Sequence, residues 1–297
     1  MSSQLLCYLF FVVFISTAFS SQEYYVSKQR GDDNNSGTKE QPFATINRAY
    51  RKTTNGDTIF IEPGAYSEDN TIVKSIKIKG YGGRPLISGS FVFRDNINVE
   101  LSDLDMENTV KHLLAGQRIE SIKVTNVNLG PKHLKQGDAI NFHFTKMVEL
   151  NNVKIIESDV GITLGDSNFK FSNIDISKSR VGMYIGVRSK GTVENSTLSY
   201  MEGNNHLVGA GFTTFGDLTL KNVNLLNNHA STFRKTGGAF YCFSGGLSIY
   251  GGKIIGNKAQ YGAAGDCNSL CSIFVSGTEF KDNENEFPSK CRGIPSK

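Results

Sequence analysis

The 297-residue chain contains no tryptophan, so it lacks the side chain that best joins a broad apolar ring face to a hydrogen-bonding edge. It has no run of five or more basic residues, and its net charge of +4 is spread along the chain. That excludes the electrostatic footprint of a nucleic-acid binder and leaves only a weak preference for anionic partners. Heptads of apolar residues are missing, which excludes a coiled coil. No apolar stretch reaches the roughly 20 residues that a membrane-spanning helix requires.

What is present is a repeat. From Ile97 to Asn283 the pattern apolar-x-apolar-x-x-(apolar or small)-x-apolar recurs about eight times, as in Val99-Glu-Leu101-Ser-Asp-Leu104-Asp-Met106 and Val148-Glu-Leu150-Asn-Asn-Val153-Lys-Ile155. Its second apolar position falls at Leu101, Val124, Leu150, Phe171, Val193, Leu220, Ile249 and Val275, in steps of 21 to 29 residues. Alternation places every second side chain on one face of a strand, and the two-residue interruption is a corner. A unit of this size cannot bury its own apolar face and must stack on copies of itself. A β-sandwich also alternates, but it needs hairpin signals about every ten residues. Here one corner returns per two dozen residues, so the expected fold is all-β, a parallel β-helix solenoid.

Leu5 to Ile15 is an apolar run of eleven residues, followed by Ser16-Thr17-Ala18-Phe19-Ser20 with small residues at the −3 and −1 positions of a cut after Ser20. It reads as a secretory signal peptide, although its leading region carries only the α-amino charge. The expected organisation is a signal peptide over 1–20, an N-terminal strand and helix cap over 21–70, solenoid coils over 71–285 and a tail over 286–297. The mature protein is expected to be extracellular and monomeric, without a membrane span.

Four cysteines remain beyond the leader: Cys242, Cys267, Cys271 and Cys291. An even number in a secreted chain suggests two disulfides with three possible connectivities. Aligning Gly237-Gly238-Ala239-Phe240-Tyr241-Cys242 on Gly262-Ala263-Ala264-Gly265-Asp266-Cys267 puts Cys242 one coil beneath Cys267. That favours a Cys242–Cys267 bridge, with Cys271 and Cys291 pinning the tail. A four-cysteine zinc site is disfavoured because two C-x-x-C knuckles are missing. Asn34-Asn35-Ser36 and Asn195-Ser196-Thr197 are N-glycosylation sequons.

Near the mature N-terminus, Tyr24-Tyr25-Val26-Ser27 is followed by a polar loop from Gly31 to Thr38, then Pro42-Phe43-Ala44-Thr45-Ile46, then Gly56-Asp57-Thr58-Ile59-Phe60-Ile61-Glu62-Pro63-Gly64-Ala65-Tyr66. The spacing predicts a helix capped at Thr45 with Ile46, Ala49 and Tyr50 on one face, which covers the open end of a solenoid. This run resembles the N-terminal cap of right-handed parallel β-helix proteins of the pectin-lyase-like superfamily, family nine polysaccharide lyases among them. Near the other end, Leu225-Leu-Asn-Asn228, Ile254-Ile-Gly-Asn257 and Phe280-Lys-Asp-Asn283, with Gly237-Gly-Ala-Phe240, resemble the repeats of polymorphic outer membrane proteins, which are implicated in adhesion. Asn228, Asn257 and Asn283 are read as a structural ladder, since Asn at equivalent corners bonds neighbouring backbone and tolerates left-handed turns.

The superfamily resemblance raises two chemistries. Lyases need grouped carboxylates for Ca²⁺ and a Lys or Arg base, whereas hydrolases need paired Asp residues. The Asp-Asp, Gly-His-Gly and Arg-x-Lys motifs of polygalacturonases and the Arg-x-Pro-x-x-Arg motif of pectate lyases are missing. Stacking the coils leaves Asp138, Asp159, Asp166, Arg180 and His143 as catalytic or sugar-binding candidates, and Asn141, Thr163 and Tyr184 as an outward row. Asp103, Asp105 and Glu107 read as the wet side of a strand, and Tyr200, Tyr241 and Tyr250 join Tyr184 as stacking surfaces. The favoured reading is a non-catalytic protein that binds an extracellular polysaccharide or a cell-surface protein and needs no cofactor. The alternatives are a Ca²⁺-dependent polysaccharide lyase and a structural or adhesive surface protein.

Overall fold

The computed structural model describes residues 20–107, 112–130, 137–203, 209–231 and 236–284. The expected signal peptide, apart from Ser20, and the expected tail with Cys291 lie outside them. Every strand pairing among the described residues is parallel and joins one turn to the next. The result is a right-handed parallel β-helix of about nine turns with one short helix.

Each turn has three faces. The first and second are one bent strand in the middle coils, namely Asn98–Glu107, Ser121–Leu129, Met147–Ile156 and Asn168–Ser177. The third comprises Leu114–Gln117, Ile140–His143, Val160–Gly165, Val181–Ile185 and Phe212–Thr214, and continues into Phe240–Tyr250. The eight repeat positions from Leu101 to Val275 stack in register as one inward column, each buried. The column extends back through Ile78 and Ile59, and the strand Glu23–Val26 is the first rung of the same face. Phenylalanines fill the interior beside it, with Phe169–Phe171 centroids 4.8 Å apart and Phe212–Phe240 centroids 5.4 Å apart.

The corner between the first and second faces is left-handed in every coil from Asp103 through Asn126, Asn152, Asn173, Asn195 and Asn222, with φ from 49° to 61°. Asn and Asp reach this region at low cost because a short polar side chain bonds locally. Here the amides bond between coils: Asn152 Nδ2 donates to Asn126 Oδ1 (2.8 Å) and Asn126 Nδ2 to Asp103 Oδ1 (3.1 Å). Asp103 therefore occupies the corner itself, not one face with Asp105 and Glu107, which bind Arg84 and Ser88. A second ladder, fully buried, joins Asn228 and Asn257 and continues to Asn283. Asn257 Oδ1 receives the Asn228 backbone N–H at 3.0 Å, and its Nδ2 donates to the Leu225 carbonyl at 2.9 Å. The left-handed residue at these corners is the preceding one, Asn227, Gly256 or Asp282.

The helix Ile46–Lys52 buries Ile46 and Ala49 against the first coils, with Tyr50 packed alongside. Five consecutive amides at its start have acceptors. Asp33 Oδ1 takes Ala44 and Thr45, Glu68 takes Ile46 and Asn47, and Thr45 Oγ1 takes Arg48. Glu68 belongs to the first coil, so capping also fastens the helix to the solenoid.

At the far end, the expected Cys242–Cys267 bridge is replaced by Cys242–Cys271, with Cα atoms 5.9 Å apart. Cys242 and Cys267 are direct ladder partners. Such partners sit about 4.8 Å apart, wider than the roughly 3.8 Å between Cβ atoms of a disulfide. An extra residue in the upper strand, and a corner at Gly245 with φ of 84°, bring Cys271 across the interior to Cys242 instead. Cys267 is also disulfide-bonded.

Two outcomes follow for chemical denaturation. Asn257→Ala orphans buried backbone groups and should cost about 2–4 kcal/mol, whereas Asn152→Gly, at an exposed left-handed corner, should stay within about 1 kcal/mol. Replacing Cys242 and Cys271 together with Ala opens a loop of sequence separation 29 and should cost roughly 3–4 kcal/mol.

Candidate functional site

The third face carries the candidate residues, and parallel register dictates their order. Asn141, Thr163 and Tyr184 are consecutive outward positions, flanked by Ala115 before and Thr213 and Tyr241 after. Their inward neighbours Ile140, Ile162 and Met183, with Phe142, Leu164 and Ile185, are buried. Thr213 is also buried and interrupts the row; its Oγ1 accepts the Gly209 N–H at 3.0 Å.

The five charged candidates do not form one cluster. Asp138, Asp159 and Arg180 lie where the chain enters the third face, and His143 and Asp166 lie where it leaves. Five residues of strand separate Asp138 from His143, roughly 16 Å at 3.3 Å per residue. At the entry edge, Arg180 Nη1 is 3.3 Å from Asp159 Oδ1. Asp138, largely shielded from solvent, receives a hydrogen bond from Asn141 Nδ2 at 2.7 Å and another from Thr163. Its backbone N–H donates to His112 Nδ1 at 3.1 Å. Burial raises the Asp138 carboxyl above its ordinary value of 3.8; the bonds from Thr163 and Asn141 and the nearby His112 oppose the rise, and Asp159 adds to it.

At the exit edge Asp166 pairs with Arg188, whose guanidinium holds the carboxyl below its usual range. His143 packs closely over Gly165 of the next coil, where a Cβ would fall 2.3 Å from its Nδ1. Beyond Gly165 comes Gly186, and then Phe215 and Phe243, in the positions that follow the paired Ile185, Thr214 and Cys242. The two glycines make a shallow shelf between His143 and Phe215. Tyr184 and Phe215 have ring centroids 5.6 Å apart, and Phe215 and Phe243 stack at 4.6 Å and 25°. All three rings are half-buried. They form an aromatic strip beside the row of hydrogen-bonding side chains.

Phe215 and Phe243 are the members that sequence reasoning missed. The signal was available: continuing the alternation of Phe212, Thr213 and Thr214 by one residue places Phe215 outward. Tyr200 and Tyr250 lie elsewhere, Tyr200 at the left-handed corner between the second and third faces and Tyr250 on the first face. Among the described residues no three His, Cys, Asp or Glu side chains are grouped to hold a metal ion. The entry edge offers two carboxylates, one tied to Arg180, which does not fit the six to eight oxygen ligands of calcium.

A family described as "Protein of unknown function (DUF1565)" matches residues 29–82. The uncharacterized protein YwoF of Bacillus subtilis (strain 168) is 33% identical over 88 residues, which is 30% of this chain and 17% of that protein. The chain thus spans about a sixth of the length of the curated relative it matches. Among solved structures, the alginate lyase from Paenibacillus sp. str. FPU-7 superposes with a TM-score of 0.61 at 12% identity, covering 91% of this chain and 99% of that one. Pectin methylesterase PemA from Erwinia chrysanthemi gives 0.48 at 13% identity, covering 93% and 94%. The lacto-N-biosidase from Eubacterium ramulus gives 0.47 at 11%, covering 90% and 67%. The likeness to the Paenibacillus structure shows the fold. No helix among the described residues is long and apolar enough to cross a membrane.

A raised carboxyl pKa fixes the sign of a pH effect. The folded state holds the Asp138 proton more tightly than the unfolded chain, so the stability it contributes is full below 3.8 and is lost as pH rises through the folded value. In paired denaturation series between about pH 3 and pH 7, Asp138→Asn should gain on the wild type as pH increases. A difference independent of pH would contradict the buried, raised carboxyl.

Proposed function

We propose that this is a secreted carbohydrate-binding β-helix whose third face takes a polysaccharide chain, without turnover. The observation that carries the reading is the aromatic strip Tyr184–Phe215–Phe243 beside the row Asn141–Thr163. Aromatic rings offer flat apolar faces to the C–H faces of sugar rings, and amide and hydroxyl groups at fixed spacing bond the sugar hydroxyls. A parallel ladder repeats its outward positions every 4.8 Å or so, which suits a polymer better than a single small ligand. The Paenibacillus neighbour is an alginate lyase by its description, and that supports a polysaccharide partner.

The charged residues favour binding over catalysis. Arg180, the base candidate of the lyase alternative, is ion-paired with Asp159, and Asp166 and His143 lie across the face from them. Asp138 then serves as a shielded acceptor that orients Asn141 and Thr163.

Glycan-array binding by the purified protein should identify a polysaccharide ligand, and Phe215→Ala and Thr163→Ala should each weaken its affinity about tenfold. Polyuronate digestion with and without calcium, followed by ultraviolet absorbance of unsaturated product, should show none. Calcium-dependent product that disappears in Asp159→Ala or Arg180→Ala would establish the lyase alternative instead. N-terminal sequencing of the secreted protein should begin at Ser21.

A further inference from the structure

We propose that Asn195 carries an N-linked oligosaccharide, displayed on the corner opposite the third face. The assignment rests on the secretory reading above and on one break in the exposed asparagine ladder. Along the corner column, Asn126, Asn152, Asn173 and Asn222 each donate through Nδ2 to a side chain of the coil below. Asn195 only accepts: its Oδ1 takes Asn222 Nδ2 at 3.5 Å, and its own Nδ2 has no partner among the described residues. The rung with the unengaged amide nitrogen is the one that begins the sequon Asn195-Ser196-Thr197.

That nitrogen is the atom glycosylation modifies. It displaces a lipid-linked pyrophosphate from the anomeric carbon of an oligosaccharide donor. The C–N bond forms as the C–O bond breaks, the lipid pyrophosphate leaves with the electron pair, and the amide proton passes to a base, with no redox change. Asn195 is exposed in the left-handed corner at φ 49°, so the sugar projects into solvent. Oδ1 stays available to Asn222, so the modification breaks no hydrogen bond of the fold. At the other Asn residues of the column the substituent would replace one of the two hydrogens of a nitrogen already engaged in the ladder.

The rest of the sequon is built into the coil. Ser196 is buried, accepts the Ile174 N–H at 3.0 Å and donates to the Glu194 carbonyl at 2.7 Å, while Thr197 Oγ1 receives Asn224 Nδ2 at 3.5 Å. Transfer therefore precedes the closing of the next turn, which brings Asn222 and Asn224 from 27 residues downstream. The other sequon differs: Asn34 Nδ2 donates to Asp32 Oδ1 at 3.0 Å and its backbone N–H to the same oxygen at 2.8 Å, a local turn that engages the reactive nitrogen. In a three-sided coil the corner between the first and second faces lies opposite the third, so a glycan there leaves the aromatic strip open.

The test is to express the full chain in a eukaryotic secretory host twice, once with its own leader and once with residues 1–20 exchanged for an established one. Release by peptide N-glycosidase in heavy-oxygen water, followed by peptide mapping, should mark Asn195 as labelled aspartate. Thr197→Val should abolish both the label and the glycan-sized mobility step while the circular dichroism spectrum is retained. Leader-exchanged protein recovered from the medium with Asn195 unmodified would overturn the assignment. Modification of the leader-exchanged protein alone would uphold it while rejecting the native leader.

Discussion

In-register parallel stacking of one coil on the next is the constraint from which the rest of this structure follows. Each coil satisfies its strand amides and carbonyls only through its neighbours, at a spacing of about 4.8 Å, and buries its inward side chains only against theirs. Side chains at equivalent positions therefore form columns. The apolar column from Ile59 to Val275 supplies the core. The Asn columns supply bonds where the chain bends and the strand ladder lapses. The end coils of the described residues are secured differently. The first is closed by a helix whose amides are held by Asp33 and Glu68, and the last coils are tightened by the Cys242–Cys271 bridge.

The same stacking turns the outer surface into stripes. On the third face one stripe carries Asn141, Thr163 and Tyr184; the next carries His143, two glycines, Phe215 and Phe243. Neither is more than a few residues wide, and both run along the solenoid axis. Under the proposed function, this shape suits an extended chain molecule. The charged groups are placed at the two margins of the stripes, Asp138, Asp159 and Arg180 on one side and Asp166 and Arg188 on the other. The two margins are separated by the width of the face, so a group on one cannot act with a group on the other on one bond.

Much of the architecture was legible because a β-helix writes its coil period directly into alternation. All eight repeat positions, from Leu101 to Val275, stack as the periodicity predicts, and Thr45 caps the helix as expected. The Asn228–Asn257–Asn283 ladder was equally legible, since asparagines recurred at one corner. What misled were residues whose relation depends on distance across a coil. Cys242 and Cys267 align, yet alignment in a ladder holds side chains parallel and slightly too far apart to join. Asp138 and His143 lie close in sequence, but an extended strand carries them to opposite margins. Phe215 and Phe243 lie far apart in sequence, and no short motif marks them as partners.

The sequence by itself determined the solenoid, its inward column, its asparagine corners and its capped N-terminal end, because each of these depends only on local periodicity and on the backbone preferences of single residues. Only the tertiary structure decided which cysteine reaches Cys242, which charged groups share a margin, which aromatic rings meet, and which corner asparagine keeps its amide nitrogen unengaged. Those depend on the register and bend of neighbouring coils. Small shifts such as the extra residue opposite Cys242–Ser244 move side chains by ångströms without altering the pattern of apolar and polar residues.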